Sequence, residues 1–595
     1  MLQNNRKPFF SGFHKALHRI LPRLLAFVVC LQPLSMKADK EVRLRLIETS
    51  DVHGNYLPYD FIAKHRGLGG LSRVATYVSE QRDSLGEQRV VLLDNGDILQ
   101  GQPTAYYYNY IDTISPHFCA EALNYLHYDA ATIGNHDIET GHRVYDRWVK
   151  QCRFPMLCAN AIDQRTSSPY WRPYTIIERA GVRIAVLGMV TTSIPQWLPR
   201  NLWAGIEFAD MVETARVWMP VLRGEEGADV VVGLFHSGAG KADAKDSYQE
   251  NAAYQVAHQV PGFDVIFYGH DHRAACKTVR DIEGGDVLVL NPGASAMNVA
   301  VADVAVTMHG KRTKAVNVEG KIVSIANLAP QAEYLNNFIA QFKAIKAFTE
   351  TPICNFQTDL STRDAYFGPS SFVDFIHTLQ LQLSGADISF NAPLSYDTHI
   401  KAGPATAGDM FNLYKFENML YLMALTGKEV KDYLEYSYGG WVRTMTKDTD
   451  TMLFFQPHPE KVTEPWQRLV TPSYNFDSAA GLRYSVDLSA PRGQRIVIKS
   501  MADGSPFCLD SLYTVAVNSY RGNGGGNLIT EGAGINKAEL PSRIIWSTEK
   551  DFRFYLMQAL KKFKTVNPQP LNQWEFVPAQ WAEKARQREE KLLFE

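Results

Sequence analysis

The stretch T-I-G-N-H-D-I-E at residues 132–139 crowds an amide, an imidazole and two carboxylates into one short turn after an apolar run. The four polar side chains are Asn135, His136, Asp137 and Glu139. A capped loop between a strand and a helix would account for this composition without any function. A metal-dependent site would account for it equally well, provided that other segments supply further ligands.

Candidate ligands of that kind recur elsewhere, each just after a short run rich in Val, Ile and Leu. They are Asp51, His53, Asp97, His236, His270 and His272. Short buried strands that alternate with helical segments predict a layered α/β domain. In such domains ligands bind at the loops beyond the carboxyl ends of the strands, so we expect these side chains to meet Asn135 at one site.

The types of residue in this set indicate a two-metal hydrolytic site. Two divalent ions about 3.5–4 Å apart activate a water and neutralise charge on a phosphoryl group. A shared carboxylate such as Asp97 is the natural bridge between them. Mixed imidazole, carboxylate and amide ligands favour zinc, manganese or iron over calcium or magnesium.

The length and charge of the chain narrow its class. At 595 residues it exceeds what one hydrophobic core usually organises, so two or more domains are expected. Apolar residues recur at helical spacing after Pro330, which predicts one amphipathic helix over residues 331–348, followed by a second α/β block. A formal net charge of −2 gives no basic footprint, so duplex nucleic acid is not an expected partner.

The N-terminus resembles an export signal. Residues 1–23 contain five Lys and Arg and no acid, and they precede an apolar run at 24–31 that is too short to span a bilayer. This pattern predicts a signal peptide at residues 1–38 and an exported protein, periplasmic or at the cell surface. A lipoprotein anchored at Cys30 is the alternative. No later stretch is apolar for long enough to predict a transmembrane segment in the mature chain.

Six cysteines remain beyond Cys30, and none of them forms a C-x-x-C pair. An even number in an exported chain leaves disulfides open, and six cysteines allow 15 pairings. We expect buried free thiols at most of these positions.

The order of the motifs D-x-H, N-G-D, G-N-H, H-S-G and G-H-x-H resembles the calcineurin-like metallophosphoesterases. The second block resembles the 5′-nucleotidase C-terminal domain, and the chain is most similar to the exported 2′,3′-cyclic-nucleotide 2′-phosphodiesterase/3′-nucleotidase branch. The stretches that carry this likeness are residues 46–55, 91–103, 473–477 and 518–526.

The resemblance implies a division into domains. A four-layer α/β/β/α metallophosphoesterase domain would occupy residues 39–329. A connecting helix at 330–350 would join it to a C-terminal α/β nucleotide-binding domain at 351–575. We expect the charged tail at 576–595 to be a solvated helix.

The resemblance also implies roles for the ligand set. Asp51, His53 and His272 would hold one metal ion, and Asn135, His236 and His270 the second, with Asp97 between them. His136 would face the phosphate instead of binding a metal ion.

A carboxylate three residues after this histidine orients it in the nucleotidase pattern. That position is Glu139 here, and Asp137 remains an alternative partner.

For the second domain the resemblance implies a base clamped between two aromatic rings, which we assign to Phe416 and Tyr520. Tyr414 and Phe476 are reserve assignments, and Asn391 would lie near the nucleoside. The expected substrate is a small nucleotide.

Many 5′-nucleotidases carry Asn-Gly-Gly-Asp at the glycine run, where this chain has Asn523-Gly524-Gly525-Gly526. The missing carboxylate favours a cyclic phosphodiesterase/3′-nucleotidase over a 5′-nucleotidase or UDP-sugar hydrolase. A non-catalytic nucleotide-binding protein is the alternative of a different class, and the sequence does not predict the oligomeric state.

Overall fold

The computed structural model describes residues 39–245, 249–462 and 464–595. Within them the chain forms two α/β domains joined by consecutive helices. The predicted signal peptide at residues 1–38, including Cys30, lies outside the described residues.

The first domain contains a six-stranded sheet whose side chains alternate between two cores. In spatial order its strands are Arg312–Ser324, Asn298–His309, Lys40–Thr49, Val90–Asp94, Ala130–Thr132 and Met156–Leu157. Val90 and Leu92 pack into the core on the helical side, whereas Val91 and Leu93 face the second sheet. This alternation is what a sheet buried on both faces requires.

A second six-stranded sheet packs against the first. In spatial order its strands are Ala275–Arg280, Asp286–Asn291, Val265–Tyr268, Val230–His236, Val182–Val190 and Tyr174–Arg179. Val230 and Val232 face the first sheet, and Val231 and Phe235 face outward.

Helices cover the outer face of each sheet. The first sheet is covered by Leu71–Leu85, Phe118–Leu126 and His142–Gln151, and the second by Met211–Pro220 and Ala253–Gln259. The predicted four-layer α/β/β/α architecture is therefore confirmed. Smaller elements of this domain are the helices Pro103–Tyr106 and Asn135–Glu139 and the strands Ala161–Asp163, Ser168–Pro169 and Ile206–Phe208.

The carboxyl ends of the central strands of both sheets meet at one edge. Strand Lys40–Thr49 runs parallel to Val90–Asp94, and Val230–His236 runs parallel to Val265–Tyr268. The Asn95 side chain joins the two sheets by donating its Nδ2 to the Phe235 carbonyl, 3.1 Å away. The loops that carry the candidate ligands therefore lie side by side.

Two helices, Ala332–Asn337 and Ile339–Thr349, replace the single connecting helix predicted for 331–348. Phe338 leaves helical geometry between them, with φ −108° and ψ 20°. Its ring is buried against those of Phe118 and Tyr334, at centroid distances of 5.0 and 4.7 Å. Packing of this one side chain thus accompanies the break that apolar spacing did not predict.

The second domain has a five-stranded sheet at its centre. In spatial order its strands are Ser478–Ala480, Ile388–Asn391, Leu512–Asn518, Leu420–Thr426 and Ile544–Ser547. Helices Ser371–Ser384 and Phe552–Phe563 contribute to the core on one face, and Gly427–Trp441 contributes to the core on the other. This domain completes the two-domain α/β fold that was predicted.

Smaller sheets and short helices surround that centre. One three-stranded sheet has the spatial order Gly403–Thr406, Pro352–Phe356 and Thr565–Val566. Another has the order Ile496–Met501, Leu482–Asp487 and Trp574–Val577. A two-stranded sheet pairs Leu360–Ser361 with His399–Ile400. The short helices are Asp409–Leu413, Ser519–Gly522 and Leu540–Arg543.

The charged sequence of the tail predicted a solvated helix. The structure forms the helix Ala579–Phe594, but one of its faces is buried. Ala585 and Leu593 are buried in the core of the second domain. Glu589 is buried too, and its carboxylate accepts the backbone N–H groups of Met452 and Leu453 at 2.7 and 2.9 Å. One face of this helix therefore stabilises the second domain.

All six cysteines of the described residues are free thiols, and Cys119, Cys158 and Cys354 are buried. Among the helices that the structure describes, none is both long and apolar enough to cross a membrane.

Replacing Glu589 by Ala should lower the free energy of unfolding by about 2 kcal/mol, because it leaves two buried N–H groups without an acceptor. Urea unfolding of the full chain measures the change. Glu583→Ala, at an exposed position of the same helix, is the control and should have little effect. Equal losses in the two variants would contradict the structural role of the Glu589 carboxylate.

Candidate active site

Asp51, His53 and His272 converge where the two sheets meet. His272 Nε2 lies 3.3 Å from Asp51 Oδ1 and 3.0 Å from His53 Nε2. Burial lowers the pKa of His53 to about 4, so its imidazole is neutral and has a lone pair to offer. One ligand atom from each residue lies within 4.8 Å of the others, which is the spacing of a metal triad.

A second triad, formed by Asp97, His236 and His270, lies beside the first, and its ligand atoms are also within 4.8 Å of one another. His236 Nε2 is 3.2 Å from Asp97 Oδ2 and 3.1 Å from Asn135 Oδ1. The structure therefore brings all seven predicted ligands together.

The backbone of this site is unusual. Five of the seven candidate ligands have positive φ angles between 47° and 72°: Asp51, His53, Asp97, His270 and His272. Non-glycine residues rarely adopt this conformation, and it costs roughly 1–3 kcal/mol each where nothing compensates. Backbone hydrogen bonds between the loops hold it: Asp51 N–H donates to Gly96 O and His53 N–H to Asp97 O, both at 3.0 Å.

The surroundings of the Asp97 carboxylate show that these residues suit a pair of metal ions. Its Oδ2 is buried and receives no hydrogen bond from the described residues, although Oδ1 accepts the His136 N–H at 2.8 Å. Burial disfavours the charged form, but the imidazoles of His236 and His136 outweigh it and hold the pKa of Asp97 well below its usual range. A buried carboxylate oxygen that accepts no hydrogen bond within the described part of the chain and lies beside the imidazoles of His236 and His136 suits a dinuclear divalent metal site.

His136 pairs with Glu139 and not with Asp137. Its Nδ1 lies 2.5 Å from Glu139 Oε2, one turn along the short helix Asn135–Glu139. Burial alone would lower the pKa of His136, but the carboxylates of Asp97 and Glu139 outweigh it and raise the pKa to about 10. The ring is thus held by one nitrogen, which leaves Nε2 free to donate.

Asp137 has a different task that the sequence did not reveal. Its carboxylate accepts backbone N–H groups from both ligand loops, at 2.8 to 2.9 Å; the donors are Asp97, Ile98, Leu99 and Gly134. Asp137 therefore ties the Asp97 loop to the loop that carries Asn135 and His136.

Two side chains beside His270 also escaped prediction. The Trp197 ring stacks on the His270 imidazole, with centroids 5.5 Å apart and planes at 23°. Glu250 Oε1 lies 3.1 Å from His270 Nε2. Both come from irregular loops, and no spacing pattern in the sequence marks them.

The residues predicted to bind the base lie in the second domain. Phe416 and Tyr520 are half-buried, whereas the reserve residues Tyr414 and Phe476 are fully buried core. Tyr474, which was not singled out, meets Phe416 edge-on at a centroid distance of 6.4 Å. Tyr474 lies within residues 473–477, one of the stretches that carry the family resemblance, and this position was the available clue.

Asn391 ends the strand Ile388–Asn391 and is 1% exposed. Neither Oδ1 nor Nδ2 has a hydrogen-bond partner in the described part of the chain. A buried amide with a free donor and a free acceptor is costly unless a ligand satisfies it.

The two domains also contact each other beside this region. Asn523 of the glycine run donates Nδ2 to the Trp197 carbonyl at 2.8 Å. Since Trp197 stacks on His270, this bond links the glycine run to the metal loops.

The calcineurin-like phosphoesterase family matches residues 44–274, and the 5′-nucleotidase C-terminal domain matches residues 344–531. Residues 44–274 are therefore a calcineurin-like phosphoesterase domain and residues 344–531 a 5′-nucleotidase C-terminal domain, and the chain is a metal-dependent phosphoester hydrolase.

Its relatives are nucleotide phosphoesterases. The trifunctional nucleotide phosphoesterase protein YfkN of Bacillus subtilis is 28% identical over 94% of this chain, which spans only 41% of that protein. The 2′,3′-cyclic-nucleotide 2′-phosphodiesterase/3′-nucleotidase of Haemophilus influenzae is 26% identical, over 91% of this chain and 88% of its own length.

A solved structure from Staphylococcus aureus, assigned as a 5′-nucleotidase and containing α-ketoglutarate, has a TM-score of 0.73 at 20% identity. The match covers 90% of this chain and 100% of the other. At this identity it shows that the fold is shared.

Replacing Asp137 by Asn should weaken metal binding, because one carbonyl oxygen cannot accept the four N–H groups that position Asp97. Lost outer-shell support typically costs roughly 10–100-fold in metal affinity. Competition with a chelator, followed by metal analysis, measures the affinity.

The matched control is Asp281→Asn. Asp281 accepts the N–H groups of Glu283 and Gly285, at 2.8 Å each, in a hairpin turn that carries no candidate ligand. Unchanged affinity in Asp137→Asn would contradict the role assigned to Asp137.

Proposed function

We propose that this protein hydrolyses 2′,3′-cyclic nucleotides and 3′-nucleotides, as a 2′,3′-cyclic-nucleotide 2′-phosphodiesterase and 3′-nucleotidase in nucleotide salvage. The observation that carries the proposal is the pair of adjacent metal triads beside His136 in the first domain. The second domain, which contacts this region, contributes the half-buried rings of Phe416 and Tyr520 and the amide of Asn391, which is unpaired among the described residues. The activity for which the Haemophilus influenzae relative is named supports it.

In this proposal Asp51, His53 and His272 would hold one ion, Asn135, His236 and His270 would hold the other, and Asp97 lies where it could serve both. Ions of zinc, manganese or iron suit these donors. When bound, they supply an activated water and neutralise charge on the phosphoryl group.

His136 acts on the leaving oxygen. Because Glu139 occupies Nδ1, the proton on Nε2 points away from that pair and is available for donation. The departing oxygen of the ester needs a proton, and a protonated imidazole within reach supplies it. Glu139 keeps the ring in place during this transfer.

Phe416 and Tyr520 hold the nucleobase, and Asn391 satisfies its polar edge. Stacking on aromatic rings is worth roughly 1–3 kcal/mol per base and accepts any base. The buried amide of Asn391 offers one donor and one acceptor, which complement the mixed edge of a nucleobase.

The glycine run supports specificity for cyclic and 3′-phosphates. Gly526 has φ +70°, and a Cβ there would lie 2.2 Å from Arg521 Nη1 and 2.5 Å from Asn475 Oδ1. The guanidinium and the amide fill the space that an aspartate side chain would need. Removing an anionic group from the ribose side of the pocket suits a substrate whose 2′ and 3′ oxygens carry the phosphate.

We further propose that residues 1–38 are a signal peptide and that the enzyme acts in the periplasm or at the cell surface. Free nucleotides released outside the cytoplasm are then its substrates. N-terminal sequencing of the secreted protein tests this: a mature chain that begins near residue 39 is expected, and an intact N-terminus would contradict it.

A substrate panel tests the activity. The purified protein, supplied with Mn²⁺ or Zn²⁺, should release phosphate or open the ring fastest with 3′-AMP and 2′,3′-cyclic AMP, compared with 5′-AMP and a UDP-sugar. Preference for 5′-AMP would overturn the specificity, and inactivity on all four with metal bound would overturn nucleotide hydrolysis itself.

Replacing His136 by Ala should lower kcat by roughly 10²–10⁴-fold, the usual contribution of a positioned proton donor, while metal content stays unchanged. The control is His142→Ala; His142 is a partly exposed histidine on the next helix, with Nε2 on the Ala204 carbonyl. Loss of metal from His136→Ala would make this residue a ligand and overturn its role as a proton donor.

A further inference from the structure

Three arginines of the second domain are buried almost completely: Arg495, Arg521 and Arg553, at 2%, 1% and 0% exposure. Burying a guanidinium is costly unless its N–H groups are paired. The partners of each arginine therefore show what its burial holds in place.

Arg553 holds the loop that presents Phe416. Its Nε donates to the Tyr414 carbonyl at 2.9 Å and its Nη2 to the Lys415 carbonyl at 2.6 Å. Nη1 lies 3.6 Å from Glu417 Oε1. Two of these partners are backbone carbonyls directly before Phe416, and the third is the side chain of the residue after it, so the guanidinium fixes the backbone that leads into Phe416.

Arg521 holds the segments that carry Tyr474 and Gly525. It pairs with Asp477 through Nε at 3.1 Å and Nη2 at 2.8 Å. The same guanidinium donates to the Tyr474 carbonyl at 2.8 Å and to the Gly525 carbonyl at 2.7 Å. It thus ties the turn that carries Tyr474 to the glycine run.

Tyr520, the residue before Arg521, lies on that glycine run. A Cβ at Gly525 would come within 2.6 Å of the Tyr520 ring. The absence of a side chain at Gly525 therefore lets the ring lie directly on the backbone that Arg521 holds.

The Arg553 cluster also reaches the first domain. The Tyr110 hydroxyl lies 3.4 Å from Glu417 Oε2, and the Tyr106 ring centroid is 5.2 Å from the Arg553 guanidinium carbon. The backbone that carries Phe416 is consequently docked against the domain that holds the metal loops.

We propose that Arg521 and Arg553 are positioning residues for nucleobase recognition. They set the spacing of Tyr520 and Tyr474 on one side and Phe416 on the other, without contacting the substrate. The ligand class is the nucleobase of the substrate or of the nucleoside product, and the proposal rests on the function proposed above.

Arg495 provides a matched control in the same domain. It donates through Nη2 to Thr444 Oγ1 at 2.7 Å and through Nε to the Ala490 carbonyl at 3.2 Å, and none of its partners lies in the Phe416, Tyr474 or Tyr520 segments. Lysine keeps the positive charge but cannot form the planar fork, so Arg→Lys at the three positions removes the same feature.

The first experiment titrates adenosine into each full-length variant with EDTA present, so that no catalysis contributes. Arg521→Lys and Arg553→Lys should weaken the adenosine Kd by roughly five- to tenfold, a part of what one stacked base is worth. Arg495→Lys should bind adenosine as the wild type does while lowering the melting temperature. Absence of adenosine binding by the wild type, or equal weakening in all three variants, would overturn the proposal.

The second experiment separates base recognition from chemistry in the metal-loaded enzyme. KM for 3′-AMP should rise by the same factor in Arg521→Lys and Arg553→Lys, whereas kcat and KM for methyl riboside 3-phosphate, which lacks a base, stay unchanged. Equal losses on both substrates would overturn a base-specific role. Failure of the wild type to hydrolyse any nucleotide would overturn the proposed function alone, because the adenosine titration does not depend on turnover.

Two further variants keep the test decisive if a lysine variant unfolds. Gly525→Ala displaces the Tyr520 ring without altering the Arg521–Asp477 pair and should weaken adenosine binding to a similar extent. In a Phe416→Ala background, Arg553→Lys should cause no additional loss, because the side chain it positions is gone. Unchanged binding in Gly525→Ala, or full additivity in the double variant, would overturn the proposal.

Discussion

The carboxylate of Asp137 accepts four backbone N–H groups, and the arrangement of the active site depends on that acceptor. Its donors belong to loops that leave two neighbouring parallel strands, Val90–Asp94 and Ala130–Thr132. With the loops tied together, Asp97 Oδ1 meets the His136 N–H, and the His136 ring faces Glu139. A buried carboxylate that is fully satisfied in this way holds polar loops in a geometry that apolar packing alone would not specify.

Work is divided between the domains. The first domain brings carboxylates and imidazoles together at the edge where its two sheets meet, and these side chains suit divalent ions. The second domain contributes aromatic rings on segments held by buried guanidinium groups, and the amide of Asn391, unsatisfied by the described residues, at the end of a central strand. Contacts such as Asn523 with Trp197 fix how the two are docked. In the function proposed above, the docking of the domains would therefore set the distance between the phosphate and the base of a bound substrate.

The sequence was most informative where local rules apply. Ligands after apolar runs could be placed together because parallel strands end at one edge. Glu139 was matched to His136 through the resemblance to the nucleotidase pattern. The task of Asp137 could not be predicted, since its partners are main-chain N–H groups, which every residue type but proline has, and three of the four lie 38 to 40 residues away. The sequence also did not predict the helix break at Phe338 or the buried face of the last helix. Both arise from contacts with segments that are distant in the sequence.

Positive φ angles at five candidate ligands have a consequence for how the protein meets its metal. The folded chain holds conformational energy in these loops whether or not an ion is present. Ligation is thereby linked to folding, and each ion retained adds to the free energy of unfolding. Loss of metal would therefore increase the mobility of the ligand loops at this edge first, while both sheets stay folded.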